Sequence, residues 1–150
     1  VILEGTELTK GMITDFKHLN WFKVFLDDVL DHKFIMDIND PLIVHEVPDY
    51  IGYNQESGTG LLGEKELNLS KCIHHIEGYW SLDLATLPAG TIQAVVEKYE
   101  GMVFVDFVPT SENLAAWLLG IAQERMSLIG VDVTAVEFWE TPKSHCRVEV

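Results

Sequence analysis

Asp31 and His32 stand side by side at the end of a helix-like run, just before Phe34-Ile35-Met36. A histidine beside a carboxylate can be held in one tautomer and can move a proton near neutral pH. Glu140 closes a late strand-like run. A carboxylate there can accept a bidentate pair of N–H donors from a heterocycle. Thr110-Ser111-Glu112-Asn113 opens a helix-like run, where hydroxyls and backbone groups can face a polar ligand. Each position also has a plainer reading. His32 suits a helix C-terminus, where it interacts with the dipole. Glu140 suits a solvated strand end, and Thr110 or Ser111 suits simple N-capping. Residue type and spacing leave both readings of each position open.

The elements that must carry these residues can be read from periodicity. Val1-Ile2-Leu3-Glu4-Gly5 reads as a strand end, and Lys10-Gly11 as a turn. Phe22, Phe25, Leu26 and Val29 recur at helical spacing, which predicts a helix over 17–30 capped by Thr14 or Asp15. Direct contact between Asp31 and His32 requires a turn or helix-end geometry, because neighbours in a strand point to opposite faces. The stretch 102–108 predicts a strand ended by Pro109, and 91–99 a short helix. Leu114, Trp117, Leu118 and Ile121 form one helical face, with Glu112 favourably placed in the first turn. The stretch 131–140 and the alternating Cys146, Val148 and Val150 predict two strands joined by the turn Thr141-Pro142-Lys143-Ser144. That hairpin favours an α+β domain over a doubly wound one. Between about 42 and 88 there are loop signals, among them Gln55-Glu56-Ser57-Gly58-Thr59-Gly60, but no clear periodicity.

Bulk properties narrow the classes of partner. A chain of 150 residues, 47% apolar and 23% charged, is globular in composition. Its 24 acidic residues against 10 basic ones leave a net charge of −14, and no basic stripe interrupts that field. Such a field repels phosphate backbones, so neither nucleic acid nor an anionic membrane is an expected partner. No apolar run is long enough to span a bilayer. Cys72 and Cys146 form no CxxC, so neither a disulfide scaffold nor a cysteine-rich zinc module is indicated, and a cytoplasmic setting is the weak implication. His74-His75 offers two imidazoles, but adjacent histidines rarely converge on one ion, so surface loop positions are expected. Trp21, Trp80 and Trp117 are expected in packing rather than as ligand platforms.

Four segments in order resemble the 6-pyruvoyl-tetrahydropterin synthase and 6-carboxy-tetrahydropterin synthase family. They are Gly11-Met12-Ile13-Thr14-Asp15-Phe16, Leu30-Asp31-His32, Pro109-Thr110-Ser111-Glu112-Asn113 and Val136-Glu137-Phe138-Trp139-Glu140-Thr141. Each is weak singly; their order and separation make the set more specific. The resemblance implies a tunnelling fold, an α+β domain whose antiparallel sheet carries two helices on one face. It implies homo-oligomers with active sites at subunit interfaces. It implies a pterin-forming lyase acting on dihydroneopterin triphosphate, with Asp31 and His32 in proton transfer, Glu140 anchoring the pterin, and Thr110 and Ser111 lining its pocket. It also implies zinc as cofactor. The family's zinc-binding histidines and catalytic cysteine have no counterpart in this chain, so no metal ligand is assigned; the expectation is a missing upstream segment, and the alternative is a divergent homologue without those residues. The alternative is a non-catalytic pterin- or purine-binding oligomer. The whole of 1–150 is read as one synthase-like domain with a long central insertion at about 42–102.

Overall fold

The computed structural model describes residues 1–5, 12–53 and 65–150. The turn expected at Lys10-Gly11, Gly11 of the first family segment and the loop signal at Gln55 to Gly60 lie outside the described residues. In chain order the elements are β1 (Ile2–Glu4), α1 (Asn20–Phe25), β2 (Phe34–Asp37), α2 (Ile43–Glu46), β3 (Ile51–Tyr53), β4 (Lys65–Leu67) and β5 (Cys72–His74). They continue with β6 (Trp80–Leu82), α3 (Gln93–Glu100), β7 (Met102–Val105), α4 (Ser111–Ser127), β8 (Asp132–Thr141) and β9 (Ser144–Glu149). The chain divides into two compact units, one of Val1–Asp28 with Pro109–Val150, the other of Val29–Val108. The stretch 42–102, read from sequence as an insertion, lies within the second.

In the first unit β8 is the centre of a three-stranded antiparallel sheet in the order β1-β8-β9. The helix α4 packs along β8 and β9. Its start is set by Thr110, whose Oγ1 accepts from the Asn113 N–H at 3.3 Å, with Glu112 in the first turn. That satisfies one orphan donor and places negative charge at the positive end of the helix. Leu114, Ala115, Leu118, Leu119, Ile121, Ala122 and Met126 give α4 its buried stripe. The expected 17–30 helix runs as a 3₁₀ turn at Phe16–Leu19, then α1, then a widened π turn at Leu26–Leu30. Asp15 caps it by accepting from the Lys17 N–H at 2.9 Å. Phe22 and Phe25 are buried, and the Phe25 ring meets Trp117 edge-on at 5.9 Å. Arg125 lies 4.9 Å from the Trp21 ring centre, a cation–π contact that keeps a charged helix residue against an aromatic one. Trp21 and Trp117 are thus packing residues.

The second unit holds a four-stranded sheet in the order β2-β7-β6-β5 and a two-stranded pair of β3 with β4. Here the antiparallel expectation needs one amendment. β2 and β7 pair in parallel, Phe34 opposite Met102 through Asp37 opposite Val105. A parallel pair needs a long crossover, and the chain between the two strands supplies it. The core gathers Met36, Ile43, Val47, Tyr50, Leu67, Leu82, Tyr99, Met102 and Phe104, with Trp80 packed against it. Its two tyrosines stand edge to face at 5.4 Å, and each places its hydroxyl on an acceptor. Tyr50 Oη donates to the Asp83 carbonyl at 3.0 Å, and Tyr99 Oη to Asp49 Oδ2 at 2.7 Å. Burial, reinforced by that carboxylate, pushes the Tyr99 phenol up to about 12. Both rings therefore fill the core without stranding a polar atom.

Candidate functional site

Glu140 sits where the β8–β9 ladder breaks step. Trp139 pairs with His145 and Thr141 pairs with Ser144, so one step on β9 spans two residues on β8. Glu140 is the extra residue of a bulge, a device that bends a strand and re-aims a side chain. Two hydroxyls meet its carboxylate. Ser111, the first residue of α4, donates from Oγ to Oε1. Ser144, the first residue of β9, donates from Oγ to Oε2 at 3.4 Å. The turn between the strands is pinned by Thr141 Oγ1, which accepts from the Lys143 N–H at 3.2 Å. Glu140 and Ser144 are exposed and Ser111 is half-buried, so the group opens to solvent.

Of the residues singled out in the sequence, Ser111 and Glu140 are therefore brought into direct contact. Thr110 adjoins Ser111 and spends its hydroxyl on the α4 cap. The sequence marks Ser144 only as part of a turn, and the structure brings its hydroxyl to Glu140. The available signal was the two-residue turn Pro142-Lys143, which sets Ser144 beside Thr141. Next to the group, His145 stacks on Trp139 with ring centres 4.2 Å apart and planes 13° from parallel.

Asp31 and His32 belong to the second unit. Their side chains do meet, His32 Nε2 lying 3.7 Å from Asp31 Oδ2. The backbone meets the condition that two adjacent residues impose. His32 has a φ of 56°, a left-handed conformation at the end of the helical run. The spacing is too long for a hydrogen bond. The His32 side chain is 94% exposed, so the imidazole is open to a reactant but gains no support from packing.

The zinc implied by the resemblance can be tested against the side chains present. Among the described residues no three His, Cys, Asp or Glu side chains gather closely enough to hold a metal ion. Three further imidazoles are engaged separately. His18 Nδ1 meets Thr14 Oγ1 at 2.8 Å, and His75 Nε2 meets Ser81 Oγ at 2.8 Å. His74 stacks on Trp80 and His75 on Tyr79, each across the β5–β6 hairpin. His74 thus lies in a strand, not in the surface loop expected for it. Cys72 is half-buried, and burial pushes its thiol up to about 11, which keeps it protonated rather than poised as a thiolate ligand. The described residues do not fit a zinc site.

Fold and site together define an α+β protein of the tunnelling-fold type, with a carboxylate presented at a hairpin bulge beside a helix N-terminus. A family model for 6-pyruvoyl tetrahydropterin synthase matches residues 1–150. The chain belongs to that family. It is also similar to the crystal structure of an uncharacterized protein from Wolinella succinogenes, at 44% identity and a TM-score of 0.83. That match covers 98% of this chain and 72% of the other. No curated protein matches the chain. Among the described residues, no helix is long and apolar enough to cross a membrane.

Proposed function

We propose that this protein is a pterin-forming lyase that converts dihydroneopterin triphosphate to 6-carboxy- or 6-pyruvoyl-tetrahydropterin. The observation that carries the reading is the family match over residues 1–150. The Ser111–Glu140–Ser144 group supports it. A carboxylate has about four lone-pair sites. Two serine donors leave acceptor capacity on both oxygens for the paired N–H groups of a pterin ring. Thr110 and Ser111 line that pocket from the start of α4. His32 exchanges protons with the substrate side chain, and Asp31 orients the imidazole. Zinc enters this reading only as the cofactor the family implies, since the described residues offer no ligand set for it. The reading also takes the protein to be a cytoplasmic homo-oligomer with its active sites at subunit interfaces.

Turnover of dihydroneopterin triphosphate, followed by product mass, tests the reading. Replacing His32 by Ala is expected to cost about 10²–10⁴ in rate with circular dichroism unchanged. Unchanged turnover would remove His32 from the mechanism. A second reading is a pterin- or purine-binding oligomer without catalysis. It is favoured by one observation, that the Glu140 group is assembled from serine and glutamate alone, side chains able to accept a heterocycle's N–H donors without a metal. Elemental analysis separates the two, because stoichiometric zinc in an active preparation excludes the metal-free reading.

A further inference from the structure

We propose that Ser144, acting with the register break that makes Glu140 an extra residue in β8, is a positioning residue for the ligand-binding carboxylate. The inference rests on the reading of Glu140 as the pterin anchor and adds how that anchor is aimed.

In an unbroken ladder, a residue at position 140 would stand opposite a β9 residue, and the pleat would set its direction. The observed register skips it; the bulge re-aims the side chain, and the groups that hold its oxygens then decide the orientation of the carboxylate. Glutamate has three side-chain torsions, and an exposed one spreads over several rotamers. Here the two oxygens are claimed from different elements. Ser111 approaches Oε1 from the start of α4, and Ser144 approaches Oε2 from the start of β9. Two points of attachment fix the plane of a carboxylate as well as its place. One donor alone would leave rotation about its own contact.

Ser144 is itself held. It follows a turn whose Pro142 has a restricted φ and whose Lys143 N–H is bound by Thr141 Oγ1. A serine donating to Glu140 also keeps acceptor lone pairs on its own oxygen. The ligand class that matches is a planar heterocycle with adjacent N–H donors, the 2-amino-4-oxo edge of a pterin. Ser144 touches the carboxylate and acts through it.

The test is calorimetric titration with pterin, using wild-type protein, Ser144→Ala, Ser144→Thr and Glu140→Gln. Ser144→Ala is expected to weaken the Kd about three- to tenfold, the loss of one hydrogen bond. Ser144→Thr keeps the hydroxyl and should restore a Kd close to wild type. A serine that only stabilised the hairpin would lower the melting temperature and leave the Kd alone. Ser144→Ala with a wild-type Kd, beside Glu140→Gln with lost binding, overturns the proposal and leaves the pterin reading standing. A wild-type protein that binds no pterin overturns the pterin reading instead. In that event the crystal structure of Ser144→Ala decides: a Glu140 carboxylate rotated from its wild-type plane supports the positioning role, and one unmoved overturns it.

Discussion

Glu140 and His32 were singled out by the same kind of argument, and their surroundings differ sharply. Glu140 lies at a bulge, with hydroxyls from α4 and β9 on its two carboxylate oxygens. His32 stands on a left-handed turn, 94% exposed, with the Asp31 carboxylate 3.7 Å away. The first is set before any ligand arrives; the second is open on nearly every side. Preorganised acceptors suit recognition, because their orientation is already fixed when the ligand binds. A bare imidazole suits proton exchange only when a reactant is brought to it.

Three substitutions sharpen or break this contrast. The largest effect is expected from His32→Ala, the rate loss already given, with the melting temperature within a degree or so of wild type, since exposed positions contribute little to stability. A fall of several degrees would make the turn a structural feature and erase the contrast. Thr110→Ala comes next. It removes a helix cap and should cost about 1 kcal/mol of stability by denaturant titration, with a nearly unchanged pterin Kd. A Kd shift as large as that of Ser144→Ala would place Thr110 among the binding groups.

The smallest effect concerns His75, whose stacked position in the second unit contrasts with that of His32. Burial holds its basicity below the ordinary histidine value, against the pull of Glu77 and with the help of nearby His74. The folded state therefore binds this proton less readily than the unfolded chain does. Stability from His75 is present above the ordinary histidine range and is lost as pH falls from about 7 toward 5. Denaturant midpoints measured over that window should decline less in His75→Gln than in wild type. An equal decline would assign the dependence to other groups.

The parts of the fold legible in the sequence were those with long, regular signals. α4 showed itself through Thr110, Glu112 and the spacing of Leu114, Leu118 and Ile121. The β8–β9 hairpin showed itself through alternation and the Thr141-to-Ser144 turn. The stretch 42–88 stayed opaque for a physical reason. Its strands β3 to β6 are three residues each, too short for a period of two to register. The parallel pairing of β2 with β7 joins residues as distant as Phe34 and Met102, which no local pattern records.

The candidate site divides in the same way. Residue types marked Glu140, Ser111 and the Asp31–His32 pair. The contacts depend on a register break at Glu140 and on one left-handed residue at His32, and neither leaves a periodic trace. Ser144 was hidden by the same register break.

The central claim is that Glu140 holds a pterin by its paired N–H donors. Calorimetric titration of wild-type protein and Glu140→Gln with pterin, and with a pteridine lacking the 2-amino group, tests it most directly. The account predicts that Glu140→Gln weakens pterin binding about a hundredfold, because the amide oxygen still accepts one N–H while the NH2 group cannot accept the other and the charge is lost. It also predicts that the two proteins bind the deaminated ligand with similar, weak affinity. A Glu140→Gln variant that binds pterin as tightly as wild type would contradict it.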